Sequence, residues 1–158
     1  MTLVTVYRIG TARARTLESL PYGSTLASGR WHLTPPEGLP VVYAGSSRSL
    51  CQLEKRVHCN GVAPVGQLLL KLVCPKGAPL QALDSFAELP QDWIDQPTVT
   101  RDIGTRWRRA GKALGLWVPS AVEPTEMNLL INPAHPAYAS IRLEVALDPF
   151  VFDPRMFD

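Results

Sequence analysis

The chain has 158 residues, of which 46% are hydrophobic and 19% are charged, and this balance excludes a disordered protein. The length fits one globular domain over residues 1–158. A net charge of +2 is too small to indicate a nucleic-acid partner by itself. Because the sequence shows neither a signal-peptide pattern nor a run of about 18 apolar residues, we expect a cytoplasmic protein without a membrane span.

The three cysteines predict reduced, buried thiols. Cys51 and Cys59 fall on one predicted helix, eight residues apart. Eight residues of helix span about 12 Å, which is too far for a disulfide. Cys74 stands alone and no CxxC pair occurs. The three histidines are also scattered, so we expect no metal site.

The first half of the chain predicts strands and one helix that begins at a serine cap. Residues 11–29 show no sustained period and contain a turn signal, so we expect them to wrap over the sheet. Ser46 and Ser47 offer the helix its N-cap. The predicted strands cover residues 3–7, 39–44 and 66–73. The predicted helix runs from Ser46-Ser47 to about His58.

The second half adds one helix and three short strands. Residues 75–97 are expected to be mostly loop, with a helical turn before Trp93, and Gly111 is a plausible helix stop. The predicted elements are a helix over 98–111 and strands over 114–118, 127–131 and 141–147. Strands and helices do not alternate regularly, and the phosphate-binding glycine motifs are absent. This pattern favours an α+β fold around a central sheet.

Glu54 is the most unusual residue of the first predicted helix. Leu50, Leu53 and Val57 follow helical spacing and predict its apolar face. Glu54 falls at the edge of that face, where an unpaired charge would be costly. It is therefore either functional or paired, for example with His58 four residues later.

Three further polar residues stand at the ends of predicted elements. Arg30 follows a glycine and could grip phosphate oxygens with two parallel hydrogen bonds, although a surface arginine in a turn is the alternative. Tyr43 ends a buried strand and could stack on a ring or bond a hydroxyl, or be a core tyrosine. Ser120 follows a strand and a proline without a GxSxG motif, so we expect it to bind a ligand rather than act as a nucleophile.

In this order, the motifs resemble those of the RES-domain family, the toxin half of bacterial RES–Xre toxin–antitoxin pairs. The matching stretches are Tyr7-Arg8, Gly29-Arg30-Trp31, Val41-Val42-Tyr43, the helix with Glu54, Pro119-Ser120 and Asn128 to Pro136. The resemblance implies an ADP-ribosyltransferase-like fold, with a central split β-sheet core and flanking helices that grip NAD without a Rossmann motif.

The resemblance also implies roles for individual residues. Glu54, Arg30 and Tyr43 would be catalytic. The ligand-binding residues would be Tyr7, Arg8, Trp31, Ser120, Asn128 and Asn132. Asn132 also has a structural alternative because Asn-Pro starts turns, and His135 has one as a capped loop residue. His32 departs from the family, which usually has an asparagine after Gly-Arg-Trp.

A RES-like toxin would cleave NAD at the nicotinamide–ribose bond, by hydrolysis or phosphorolysis, or would transfer ADP-ribose to a cellular protein. A carboxylate would stabilise the positive charge that develops on the ribose. An Xre-like antitoxin would block the cleft, so nucleic acid would be contacted only through the antitoxin. A non-enzymatic binding module and an RNA-targeting toxin remain alternatives, the latter suggested by the basic residues Arg101, Arg106, Arg108, Arg109 and Lys112.

Overall fold

Seven strands form one mixed sheet in the computed structural model, which describes residues 2–157. The strands are β1 (Thr5–Thr11), β2 (Val42–Gly45), β3 (Gln67–Val73), β4 (Leu80–Ala82), β5 (Gly115–Pro119), β6 (Met127–Ile131) and β7 (Arg142–Phe150). Their order is β4-β5-β6-β2-β1-β3-β7, and every pair is antiparallel except β4–β5. The predicted α+β class is therefore confirmed.

The sheet is split between β1 and β2. These two strands pair only at Tyr7 and Gly45, whereas β1 and β3 pair from Thr5–Val73 to Thr11–Gln67. Beyond this single pair, the Arg8 side chain connects the two strands, because its Nη1 donates to the Tyr43 carbonyl oxygen at 2.9 Å. This hydrogen bond satisfies a carbonyl that the strand pairing leaves free.

Both helices, α1 (Arg48–His58) and α2 (Pro97–Ala110), pack on the same face of the sheet. Paired residues of antiparallel strands share a face, and Tyr7, Gly45, Asn128 and Val118 form one such row across β1, β2, β6 and β5. Cys51 packs α1 beside β1 and β3, and Ile103 and Trp107 pack α2 on β5 and β6. A site on this face therefore has a helix on either side.

The opposite face carries the largest apolar cluster. Strand residues such as Val6, Leu70 and Leu129 are fully buried there. Leu20 and Tyr138, from short 3₁₀ helices at Leu20–Thr25 and Pro136–Ser140, cover them. The segment expected to wrap over the sheet does so in part through the first of these turns.

Several predicted boundaries and one missing strand need correction. β1 begins at Thr5 and runs to Thr11, β2 begins only at Val42, and β7 continues to Phe150. The region expected to be loop contains β4 and two 3₁₀ turns, Leu83–Ser85 and Trp93–Asp95. β4 was not predicted because three residues are too few to show the alternation of apolar and polar residues that indicates a strand.

The predicted apolar face of α1 was wrong in two of three positions. Leu53 is 40% exposed and Val57 is 55% exposed, and the buried residues of α1 are Leu50 and Cys51. The Cys51 thiol donates to the Tyr7 carbonyl oxygen at 3.0 Å, which rotates the helix toward β1. Gly45 permits this approach, because a Cβ there would lie 2.8 Å from the Cys51 sulfur.

Three further findings concern the cysteines, the end of α2 and the membrane. All three cysteines are free thiols, but Cys59 follows α1 as its C-cap and is only half-buried. The left-handed backbone of Gly111, with φ of 65°, ends α2 as predicted. Over residues 2–157, no helix has the length and apolar character needed to cross a membrane.

Candidate functional site

Glu54 is the centre of a hydrogen-bonded group built from three elements. Its Oε1 accepts hydrogen bonds from Ser120 Oγ at 2.6 Å and from Asn128 Nδ2 at 2.7 Å. None of the described residues donates to Oε2, whose neighbour is His58 Nε2 at 3.9 Å. The Glu54 side chain is 25% exposed. One carboxylate oxygen is thus fixed by the protein and the other faces outward.

The Ser120 hydroxyl is one of the two groups that hold the Glu54 carboxylate. Its side chain is fully buried. The hydroxyl donates to Glu54 and accepts from the backbone N–H groups of Val122 and Glu123, each at 3.1 Å. A hydroxyl has one donor and two acceptor positions, and all three are occupied. These bonds favour a positioning role for Ser120, and its expected contact with a ligand stays a prediction.

The two asparagines of the predicted site lie at opposite ends of β6. Asn128 pairs with Gly45 and reaches Glu54 from the row that crosses the sheet. Asn132 follows the other end of the strand, is 2% exposed, and its Oδ1 accepts from the Ala134 N–H at 2.9 Å. The structure thus supports the turn alternative for Asn132. His135 likewise caps a 3₁₀ turn through Nδ1.

Tyr43 belongs to a closed network with His32. The Tyr43 hydroxyl accepts from the Trp31 N–H at 3.1 Å and lies 2.7 Å from His32 Nδ1. Because Nδ1 also accepts from the Gly29 N–H, the tyrosine must donate to it, and the ring proton resides on Nε2. Nε2 then donates to the Ser24 carbonyl oxygen at 2.9 Å.

Burial keeps both rings of this network neutral. Burial raises the pKa of Tyr43 and lowers the pKa of His32. The hydroxyl of Tyr43 is committed to the protein, so only its half-buried ring can touch a ligand. Gly29 leaves the space for the hydroxyl, since a Cβ there would lie 2.6 Å from it. His32 therefore fits the position where the family usually has asparagine.

Arg30 and Trp31 are anchored to the segment before α2. Arg30 Nη1 donates to the Ile94 carbonyl oxygen at 3.0 Å, and its guanidinium lies 5.7 Å from the centre of the Trp93 ring. The remaining N–H groups of Arg30 have no acceptor among residues 2–157. The Trp31 ring is 2% exposed and packs 5.9 Å from Trp93, so its contribution to the site is its backbone N–H.

Arg8 and Tyr7 lie where the sheet splits. Burial lowers the pKa of Arg8, and its Nε has no hydrogen-bond partner among the described residues. The half-buried Tyr7 ring lies under the guanidinium of Arg48, at 5.3 Å from the ring centre. Arg48 carries no motif, so sequence reasoning missed it. Cys51 of α1 contacts the Tyr7 carbonyl oxygen, but none of these three residues makes a hydrogen bond to Glu54.

Each basic residue of α2 has a partner within the protein, although Arg106 and Arg109 are exposed. The side chains of Arg101, Arg108 and Arg109 donate to backbone carbonyls of the preceding loops, and Arg106 pairs with Asp102 at 2.9 Å. A surface that reads nucleic acid needs free cations, so this helix gives the RNA alternative little support. Within residues 2–157, no cluster of three or more His, Cys, Asp or Glu residues could hold a metal ion.

The fold is that of a split-sheet α+β protein, and its candidate site is a carboxylate on α1 that the sheet holds in place. Within that class, the RES domain family model matches residues 5–153, and the chain belongs to the RES domain family. Toxin Res of Yersinia enterocolitica is 34% identical over 157 residues, which cover 96% of this chain and 98% of the relative.

Two further similarities agree with this assignment. The Prs ADP-ribosylating toxin of a Sphingobium species is 36% identical over 138 residues, which cover 85% of this chain and 83% of the relative. The toxin–antitoxin complex MbcT–MbcA of M. tuberculosis matches with a TM-score of 0.66 and 15% identity, covering 99% of this chain and 87% of that one. At this identity, the structural match bears on the fold alone.

Proposed function

We propose that this chain is the toxin of a toxin–antitoxin pair and that it cleaves NAD at the nicotinamide–ribose bond. It would act as a single domain in the cytoplasm. The observation that carries the proposal is the Glu54 carboxylate, whose Oε1 is held by Ser120 and Asn128 while Oε2 is unbonded. Membership of a family with relatives named as toxins supports the biological role.

The chemistry of the bond explains why such a carboxylate matters. Nicotinamide leaves with the bonding electron pair, and the ribose C1′ becomes positively charged. A fixed negative group beside that carbon stabilises the charge without having to reorganise during the reaction. Glu54 would supply this charge through Oε2, while Ser120 and Asn128 prevent the side chain from turning away.

Other residues would hold the substrate. The unbonded N–H groups of Arg30 suit the pyrophosphate, since a guanidinium can bind two phosphate oxygens at once. The Tyr43 ring would support the nicotinamide, and Asn128 would reach a ribose hydroxyl through its Oδ1. Tyr7 and Arg8 would line the far side of the cleft, and Trp31 would fix the loop that carries Arg30.

Transfer of ADP-ribose to a cellular protein is the second candidate function. It is favoured by the Sphingobium relative, whose name describes an ADP-ribosylating toxin. The same Glu54 would serve, because only the acceptor differs. We also propose an Xre-like antitoxin that covers the cleft, since the M. tuberculosis neighbour was solved as a toxin–antitoxin complex.

The first experiment is incubation of the purified chain with NAD, with and without inorganic phosphate, followed by chromatography of the products. We expect free nicotinamide, and the form of the remaining ADP-ribose identifies water or phosphate as the acceptor. Glu54→Gln should lower the rate by about 1,000-fold, because one preorganised electrostatic group contributes on the order of 10²–10³. Arg30→Ala should raise KM.

Intact NAD under both conditions would contradict direct NAD cleavage. Labelled NAD with a cell lysate would then test protein modification, and RNA degradation with intact NAD would favour the RNA alternative. NAD binding without turnover would favour a binding module. Ser49→Ala serves as a control for Glu54→Gln, because Ser49 is exposed on the first turn of α1.

A further inference from the structure

His58 differs from the other two histidines in having free ring nitrogens. His32 bonds through both nitrogens, and His135 uses Nδ1 to cap a turn. Neither nitrogen of His58 makes a hydrogen bond within residues 2–157. Histidine is the side chain that most often serves as a general base, and an imidazole with an unbonded nitrogen beside a carboxylate is placed for that role.

The position of His58 relative to Glu54 is specific. It lies one helical turn further along α1, with Nε2 3.9 Å from Glu54 Oε2. The His58 side chain is 76% exposed and that of Glu54 is 25% exposed, so the imidazole stands on the solvent side of the free carboxylate oxygen. A small acceptor that enters from solvent would meet both groups.

No other side chain that contacts Glu54 can take up a proton. Ser120 and Asn128 face Oε1 as hydrogen-bond donors, and neither is a base. The nearby Cys51 thiol also stays protonated, because burial raises its pKa to about 11. The hydrolytic reaction nonetheless releases a proton from the attacking water.

We propose that His58 is the base that accepts the proton of the incoming acceptor, an assignment that rests on the proposed NAD cleavage. The oxygen of water forms a bond to the ribose C1′, and the C1′–N bond breaks with its electron pair going to nicotinamide. The water proton passes to His58 Nε2 and then to solvent. Glu54 stabilises the charge on the ribose throughout.

This division of labour separates two reactions of the same site. Hydrolysis removes a proton from the acceptor and needs His58. Exchange of labelled nicotinamide into NAD does not, because the attacking ring nitrogen carries no proton to lose. Azide, an anion, is a second acceptor of this kind. Both reactions still need Glu54, since each passes through the same positively charged ribose.

The test compares hydrolysis with exchange in the wild type, His58→Gln, Glu54→Gln and the control Ser49→Ala. We expect His58→Gln to lose about 100-fold in hydrolysis, the lower end of what a positioned base contributes. Its nicotinamide exchange should stay at the wild-type rate, and azide should restore nicotinamide release. Glu54→Gln should lose both reactions, and Ser49→Ala neither.

Two results would overturn the assignment of His58 alone. One is wild-type hydrolysis in His58→Gln. The other is an equal loss of hydrolysis, exchange and azide-dependent release, which would indicate that His58 acts on the structure of α1. If the wild-type protein released no nicotinamide at all, the proposed NAD cleavage would itself be overturned, and the role of His58 with it.

Discussion

The Glu54 group and the Tyr43 group lie near each other but use their hydrogen bonds differently. At Glu54, the buried Ser120 and the half-buried Asn128 donate to one carboxylate oxygen and leave the other open. At Tyr43, the hydroxyl accepts from the Trp31 N–H and donates its proton to His32, so it has no proton to donate to a ligand. Both groups draw partners from distant parts of the sequence.

This difference distinguishes a group that can act on a substrate, at Glu54, from one that maintains the local structure, at Tyr43. A site needs side chains that are held in place and yet retain a free valence for the substrate. Glu54 meets both conditions, whereas Tyr43 meets only the first through its hydroxyl. Under the proposed function, the chemistry would fall to Glu54 and the shape of the neighbouring wall to Tyr43, and three substitutions test this division.

Of these three substitutions, Ser120→Ala should have the largest effect on activity. It removes the donor to Glu54 Oε1 and leaves only Asn128 to hold the carboxylate. Side chains that orient a functional group typically contribute about 10- to 100-fold, so we expect kcat for NAD cleavage to fall by that factor with little change in KM. Steady-state kinetics with NAD measures both constants.

Ser85→Ala is the matched control, because that exposed serine bonds a backbone carbonyl at the distant β4 edge. A rise in KM with unchanged kcat would argue against the positioning role and would restore direct ligand binding by Ser120. Thermal unfolding of both variants should show that the folded state persists under assay conditions.

Tyr43→Phe should affect stability more than catalysis. The variant leaves the Trp31 N–H without its acceptor and removes the hydrogen bond to His32. An unsatisfied buried donor costs about 1–3 kcal/mol, so the free energy of unfolding in urea should fall by that amount while kcat stays near the wild-type value. Tyr22→Phe is the control, since Tyr22 is 66% exposed. A large loss of kcat at unchanged stability would show that the hydroxyl acts on the substrate.

The sequence could predict most of the elements, for reasons that are local. The N-cap at Ser47, the αL residue Gly111 and the apolar runs of β3 and β6 fix most of the fold. Helical spacing set Glu54 at the edge of an expected apolar face, although Leu50 is the only residue of that expected face that is buried. Such signals depend on neighbours within a turn or two of the chain.

The sequence could not predict which partner each hydrogen-bonding side chain would have. Whether Ser120 binds a ligand or holds Glu54 depends on a helix 66 residues away, and the turn at Val122 completes its bonds. The rotation of α1 depends on Cys51 meeting the Tyr7 carbonyl, which exposes Leu53 and Val57 despite their spacing. Long-range partners decide both outcomes.

His32 gives the finest test of the Tyr43 group, through the pH dependence of stability. Burial lowers the pKa of His32 below its ordinary value of 6.5, so the folded state binds the proton more weakly than the unfolded state does. The free energy of unfolding is therefore not reduced by His32 above about pH 6.5. It falls as the pH drops below that value, with a slope of at most about 1.4 kcal/mol per pH unit.

His32→Asn removes this titration, and the family's usual asparagine can still bond backbone groups. Urea unfolding between neutral pH and pH 5 should show that the wild type loses more stability on acidification than His32→Asn does. Ser49→Ala is the control, because that exposed serine of α1 carries no ionisable group. Parallel curves for wild type and His32→Asn would mean that His32 accepts a proton without cost. The closed network with Tyr43 would then be looser than its hydrogen bonds indicate.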